Sequence, residues 1–206
     1  MEKQDLKPIL GFIIATIIII VVGVLLFVKD APNNNSQKTL INSNTHTKGA
    51  KDGKVLIVEF SDFECPACIY AEEIVGKVMD KYSNKVKFAY RHYPLPMHQY
   101  SRKAAQAAEA AAIQGKFWEM KSIIFKNNSS LKPDDLIKYA KDIGLDIDQF
   151  KKDQESDKIK EIIENDIKAA QDLGVEGTPT FFINEEKIFG VPSFEEFQNL
   201  IEKNLN

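Results

Sequence analysis

The two cysteines of this 206-residue chain lie in one four-residue segment, Cys65-Pro66-Ala67-Cys68. This segment stands between a short continuous apolar run, residues 54–60, and a helical pattern over residues 66–82. Such an apolar run is typical of a strand that is buried on both faces. Because the sequence has no further cysteine, the pair cannot belong to a disulfide-stapled small fold. The pair is therefore expected at a strand-to-helix junction of an α/β domain.

The position of the pair on the helix indicates its chemistry. Pro66 suits the first helical position, where its missing N–H has no intrahelical partner. The free N–H groups and the dipole of the helix favour a thiolate on Cys65 and lower its pKa. Cys68 lies on the same helix face and can close a disulfide with Cys65. We therefore expect Cys65 to be an exposed nucleophile and leaving group, and Cys68 a sheltered resolving thiol, as thiol–disulfide exchange requires.

Glu59 is a carboxylate within the apolar strand that precedes the cysteines. Burial of this residue would raise its pKa and suit it to accept the proton of Cys68. The alternative is an edge position that faces solvent.

A second segment, Gly177-Thr178-Pro179-Thr180, enters a predicted hairpin. A proline before a strand is most simply a turn residue, and a cis bond is a small minority among X–Pro bonds. On these residues alone, the trans interpretation is favoured.

The rest of residues 54–206 predicts an α/β domain with four strands and a helical block. Residues 86–93 form a second strand, parallel to the first, and residues 180–184 and 187–191 form the hairpin. A capping box at Ser193 opens the last helix. The predicted helices of the block are residues 101–114, 116–126, 133–143 and 156–173.

The uncharged run of residues 9–28 predicts a transmembrane anchor, since a helix of this length spans roughly 30 Å of bilayer. A cleavable signal peptide is the alternative, but its apolar region is shorter and ends in small residues. Residues 1–8 are then a cytoplasmic N-terminus. Residues 29–53 are rich in Asn, Ser, Thr and Lys and predict a flexible linker, in which His46 is solvated. Lysines on both sides of the run leave its orientation undecided by charge.

Two other classes of function were weighed. A zinc site would use Cys65, Cys68, His92 and His98, but the segment between Cys68 and His92 is too long for a zinc finger. A non-catalytic anchored binding module would not need both cysteines and a buried acid. The net charge of −3 lacks the basic balance typical of nucleic-acid binding. We therefore expect no metal and no nucleic acid.

Several motifs in order resemble the DsbA-like thiol–disulfide oxidoreductases of the thioredoxin superfamily, and specifically their membrane-tethered, extracytoplasmic members. The resemblance covers roughly residues 54–204. The motifs that carry it are Val58-Glu59-Phe60-Ser61-Asp62-Phe63-Glu64-Cys65-Pro66-Ala67-Cys68, Tyr93-Pro94-Leu95-Pro96 with His98, Gln114-Gly115-Lys116-Phe117-Trp118-Glu119, and Gly177-Thr178-Pro179-Thr180-Phe181-Phe182.

The resemblance implies a thioredoxin-like α/β fold with an inserted helical domain at about residues 97–174, preceded by one N-terminal transmembrane helix. It implies that Cys65 and Cys68 are the catalytic pair, that Glu59 is the buried acid, and that no cofactor is needed. It also implies that Pro179 is cis beside Cys65, where the backbone of Thr178 pairs with a bound peptide.

The chain departs from the family at Ala67, where the best-known enterobacterial member has His. Without that imidazolium the Cys65 thiolate loses one stabilising contact, so a weaker oxidant is expected. Protein disulfides persist outside the cytoplasm, which favours an oxidase on the extracytoplasmic side of the cell membrane. The implied partners are exported proteins with free cysteines and a quinone-linked membrane partner of the DsbB or vitamin K epoxide reductase type. A reductase or an isomerase of the same fold remains the alternative.

Overall fold

Five strands form the central sheet of the computed structural model, which describes residues 40–205. They are β1 (His46–Gly49), β2 (Val55–Ser61), β3 (Val86–His92), β4 (Thr180–Ile183) and β5 (Glu186–Phe189). Their order across the sheet is β1-β3-β2-β4-β5. Strands β2 and β3 are parallel, as the sequence predicts, and the other neighbouring pairs are antiparallel.

The described residues also form seven helices. They are α1 (Pro66–Tyr82), α2 (Ser101–Ile113), α3 (Phe117–Lys126), α4 (Pro133–Asp142), α5 (Ile147–Gln154), α6 (Asp157–Asp172) and α7 (Phe194–Leu205). The predicted helices are confirmed to within about two residues, and α5 is an additional one. Its start is capped by Asp146, whose side chain accepts from the Gln149 N–H.

The centre of the sheet is β2, and every residue of this strand is buried. The continuous apolar run at residues 54–60 is explained by this position, since neighbouring strands and helices cover both faces. Glu59 on β2 pairs in register with Tyr90 of β3 and Phe181 of β4. The edge alternative for Glu59 is therefore wrong, because the residue lies in the most enclosed strand of the sheet.

The prediction of a flexible linker over residues 29–53 is wrong for residues 40–53, which are the part of it that the structure describes. Leu40 is buried, and its carbonyl oxygen accepts a hydrogen bond from Arg91 Nη1 at 3.2 Å. Strand β1 pairs with β3 and adds a fifth strand to the four that were predicted. His46 is not a solvated linker residue, because its Nε2 atom lies 2.8 Å from Glu109 Oε1. The folded domain thus includes residues 40–53, ahead of the predicted boundary at residue 54.

The helical block, α2 to α6, is inserted between β3 and β4, as the sequence predicts. A buried ion pair joins the last helix of the block to the sheet. Asp166 on α6 accepts from Arg91 Nε at 2.8 Å and from the His92 N–H at 2.9 Å. The block is therefore anchored to the end of β3 that leads toward the cysteine pair.

The predicted transmembrane anchor, residues 9–28, lies outside the described residues. Between residues 40 and 205, none of the helices combines the length and the apolar character that crossing a membrane requires.

Candidate active site

The cysteine pair lies where β2 passes into α1. Cys65 is the N-cap residue of α1 and Pro66 occupies the first turn, as the sequence predicts. The Cys65 carbonyl oxygen accepts from the N–H groups of Cys68 at 3.0 Å and Ile69 at 3.2 Å. Both cysteines are free thiols. This backbone geometry places the Cys65 side chain at the positive end of the helix dipole.

The two thiols differ in their environment. Cys68 is fully buried, and Cys65 is only 7% exposed, so the expectation of an exposed Cys65 is wrong. A hydrogen bond from the Cys68 thiol outweighs burial and lowers the pKa of Cys65 to about 5. Burial, the hydrogen bond to Cys65 and the charge of Glu59 raise the pKa of Cys68 far above its usual range. At neutral pH the pair therefore holds one thiolate, on Cys65, and one thiol, on Cys68.

The loop before β4 covers Cys65. In its thiol form, Cys65 donates a hydrogen bond from Sγ to the Thr178 carbonyl oxygen at 3.2 Å. The Thr178-Pro179 peptide bond is cis, which is the isomer that the family resemblance implied and that the residues alone did not favour. This contact explains the low exposure of Cys65, since the Thr178-Pro179 backbone shields its sulfur from solvent.

Glu59 is fully buried, and its charge acts on Cys68. Neither of its carboxylate oxygens has a hydrogen-bond partner among the described residues. Burial raises the pKa of Glu59 to about 7, although the charge of Lys121 opposes the shift. The carboxyl group is therefore close to half protonated at neutral pH, which is the condition in which a group can both give and take a proton.

A buried lysine near Glu59 was missed by sequence reasoning. The side chain of Lys121, on α3, is 1% exposed and forms an ion pair with Glu72 on α1. Its Nζ atom also lies 4.9 Å from the ring centroid of Tyr90 and 4.8 Å from that of Phe125. Lysine in an amphipathic helix usually faces solvent. The signal in the sequence was its place among the large apolar side chains of residues 116–126.

The residues that a zinc site would use do not form a group that could hold a metal ion. His92 Nε2 lies 2.9 Å from Glu109 Oε1, and His98 Nδ1 lies 2.8 Å from Asp62 Oδ2. Across residues 40–205, no group of three or more His, Cys, Asp or Glu side chains could hold a metal ion. Each histidine instead pairs with a buried carboxylate, and the sequence did not predict either pair.

The fold and this site define a class of protein. A central strand leads to a Cys-x-x-Cys pair at a helix N-terminus, a cis-proline loop covers the first cysteine, and a helical block follows β3. This arrangement is a thioredoxin-like fold of the DsbA type. The family model described as "Thioredoxin" matches residues 41–203, and the chain belongs to this family. The match covers nearly all of the residues that the structure describes, 40–205.

Solved structures share this fold. A thioredoxin-like oxidoreductase from Silicibacter pomeroyi has a TM-score of 0.72 and 28% identity, over 83% of this chain and 96% of that one. The thiol-disulfide exchange protein alpha-DsbA2 from Wolbachia pipientis has a TM-score of 0.75 and 22% identity, over 82% and 91% of the two chains. BdbD from Bacillus subtilis has a TM-score of 0.72 and 24% identity, over 79% and 93%.

Relatives found by sequence are named as Na(+)/H(+) antiporters. A Na(+)/H(+) antiporter, NhaA 3, from Salinispora tropica is 40% identical over 151 residues, which is 73% of this chain and 23% of the antiporter. A second antiporter, NhaA 1 from Salinispora arenicola, is 38% identical over the same shares of the two chains. This chain thus spans about a quarter of the length of these relatives.

Proposed function

We propose that the chain is an extracytoplasmic thiol–disulfide oxidoreductase that introduces disulfide bonds into exported proteins. The observation that carries the proposal is the asymmetry of the Cys65–Cys68 pair. A pKa of about 5 for Cys65 stabilises the reduced form of the pair, because the thiolate is favoured at neutral pH. A stable reduced form makes the disulfide form a strong oxidant. The thiol-disulfide exchange protein from Wolbachia pipientis shares the fold that holds this pair.

In the first step, a substrate thiolate attacks the Cys65 sulfur of the Cys65–Cys68 disulfide. The new bond joins the substrate to Cys65, and Cys68 leaves with the electron pair. Because the pKa of Cys68 is strongly raised, its thiolate takes up a proton. Glu59, with a pKa of about 7, is the source of that proton.

In the second step, another substrate thiolate attacks the substrate sulfur of the mixed disulfide, and Cys65 leaves as a stable thiolate. The substrate has then lost two electrons, and the enzyme pair has gained them. The backbone of Thr178 is proposed to pair with the substrate peptide, and the support is that its carbonyl group lies beside the Cys65 sulfur. Return to the disulfide form requires an oxidant, for which we propose a quinone-linked membrane protein of the DsbB or vitamin K epoxide reductase type.

Residues 9–28 are proposed to anchor the chain, with the domain from Leu40 onward on the extracytoplasmic side. The support is the uncharged apolar run in the sequence. The measurement is carbonate extraction of membranes from cells that express the full chain, followed by protease treatment of intact spheroplasts. Release by carbonate would contradict the anchor, and protection from protease would contradict the orientation.

The reaction is tested by trapping and by redox equilibrium on the full chain. A Cys68→Ser variant is expected to accumulate mixed disulfides with exported proteins through Cys65, and a Cys65→Ser variant is the matched control that traps none. Equilibration with glutathione is expected to give a reduction potential of about −180 mV or higher. A potential of about −270 mV, as in thioredoxin, would favour the reductase alternative. Absence of trapped species would contradict exchange through Cys65.

A further inference from the structure

The loop between β3 and α2, residues 93–100, is hydrogen-bonded to the turn that carries Cys65. The buried carboxylate of Asp62 accepts from the Leu95 N–H at 2.7 Å and is bonded to His98 Nδ1 at 2.8 Å. Glu64 Oε2 accepts from the Tyr100 N–H at 2.5 Å. The loop is therefore fixed against the turn by two carboxylates.

The same turn fixes the position of the nucleophile. The Cys65 N–H donates to the Asp62 carbonyl oxygen at 3.2 Å, and the Glu64 N–H donates to Asp62 Oδ1 at 2.7 Å. Asp62 thus contacts the Cys65 backbone on one side and the His98 ring on the other. Its carboxylate alone would place a negative charge beside the Cys65 thiolate and destabilise it.

His98 carries the charge that opposes this effect. Its side chain is 22% exposed. Burial disfavours the imidazolium, but the hydrogen bond and charge of Asp62 and the charges of Glu64 and Cys65 outweigh burial and raise the pKa of His98. Since the interaction between two charges is mutual, the imidazolium stabilises the Cys65 thiolate as the thiolate stabilises it.

We propose that His98, held by Asp62, supplies the positive charge that stabilises the Cys65 thiolate in this chain. The Cys-Pro-Ala-Cys segment has no cation of its own, because Ala67 stands between Pro66 and Cys68. His98 reaches the site from a different element, the loop after β3. This inference deepens the proposed oxidoreductase function. It depends on that function only for what the Cys65 thiolate is used for, and the charge effect itself can be tested without it.

The test is the titration of Cys65 in the reduced full chain, followed by thiolate absorbance at 240 nm. His98→Gln keeps a donor for Asp62 and removes the charge, and His98→Lys restores a charge. We expect His98→Gln to raise the midpoint by about half a pH unit to one pH unit, and His98→Lys to return most of the shift. His46→Gln is the matched control, because His46 also pairs with a buried carboxylate, that of Glu109, and is expected to leave the midpoint unchanged.

The second readout is the equilibrium with glutathione, which is expected to shift about three- to tenfold toward the disulfide in His98→Gln. A Cys65 midpoint in His98→Gln that equals that of the natural chain would overturn the inference. Equal shifts in His98→Gln and His98→Lys would also overturn it, since they would indicate a role in holding the loop rather than a charge effect. A shifted midpoint in a protein that traps no substrate would instead uphold the inference and contradict the proposed function.

Discussion

The Sγ atom of Cys65 lies 3.2 Å from the carbonyl oxygen of Thr178, a residue 113 positions further along the chain. This contact joins the two segments that sequence motifs had singled out separately. It places a nucleophilic sulfur directly beside a backbone carbonyl group that can pair with an extended peptide. In the proposed mode of substrate binding, a peptide bound there would present its own cysteine to Cys65, and this contact is the support for that proposal.

The hydrogen bond from Cys68 is the largest cause of the low pKa of Cys65. The pH dependence of Cys65 alkylation measures this effect. In the reduced chain, the rate of Cys65 alkylation by iodoacetamide is expected to reach half its maximum at about pH 5. Cys68→Ala removes the hydrogen bond to the thiolate and should raise that midpoint by about one pH unit or more, whereas Cys68→Ser keeps a donor and should raise it less. A midpoint near about pH 8.5 in the natural chain would contradict the assigned environment.

Glu59 makes stability depend on pH in a defined direction. Burial raises its pKa from 4.5 to about 7, so the folded chain binds more protons than the unfolded chain between these values. The contribution of Glu59 to the free energy of unfolding should therefore fall by roughly 3 kcal/mol as the pH rises from 4.5 to 7 and above. In the reduced chain the lowered pKa of Cys65 acts in the opposite direction, because there the unfolded chain binds the extra proton.

Urea unfolding at pH 5 and pH 8.5 measures this contribution as the difference between the natural chain and a Glu59→Gln chain, since Cys65 titrates in both. Glu59→Gln should make stability rise more steeply with pH than in the natural chain, and Glu73→Gln on the exposed face of α1 is the control that should keep the natural pH dependence. The Glu59→Gln chain should also oxidise a dithiol peptide about tenfold to a hundredfold more slowly, because the proton donor for Cys68 is gone. An unchanged rate would remove the proton-transfer role from Glu59.

Lys121 is expected to set the pKa of Glu59. Its buried ammonium group lowers that pKa, in opposition to burial. Lys121→Met should raise the pKa of Glu59 by about one unit, as followed by NMR titration of labelled glutamate carboxyl groups. Lys77→Met is the control, since Lys77 pairs with Glu73 on the exposed face of the same helix that carries Glu72. Equal effects of the two variants would contradict a specific role for Lys121.

The segment before residue 54 is expected to contribute to stability. A chain that begins at residue 36 retains the buried Leu40 side chain, β1 and the His46–Glu109 pair, and one that begins at residue 51 lacks all three. The shorter chain should be less stable by about 2–4 kcal/mol, of which burial of Leu40 accounts for about half. Urea unfolding of the two chains at the same pH measures the difference. Equal midpoints with equal slopes would show that residues 36–50 add nothing to the free energy of unfolding.

Much of the fold was predictable because its signals are local. The apolar run of β2, the proline at the start of α1 and the capping box at Ser193 each act over a few residues, and the structure has each of them in place. The buried position of Glu59 followed from its apolar neighbours in the same strand. The isomer of the Thr178-Pro179 bond did not follow from its own residues and was implied only by the family resemblance.

Strand β1 shows why the rest of the fold was not predictable. Its sequence, His-Thr-Lys-Gly, has no apolar alternation, and it pairs through backbone groups with the edge that β3 leaves open. Pairing of this kind depends on which strand has a free edge, and that is a property of the assembled sheet. Over residues 40–53 the linker prediction was wrong for this reason, since composition alone could not reveal the edge.

The sequence by itself determined the reacting groups: a Cys-Pro-Ala-Cys pair at a helix start, a carboxylate in an apolar strand, and a Thr-Pro segment before a strand. Only the tertiary structure decided which charges surround them. Lys121 lies near Glu59, and His98 pairs with Asp62 beside Cys65, although each comes from an element distant in the chain. Periodicity and capping are short-range properties, whereas the electrostatic field at a buried site is the sum over groups that folding brings together.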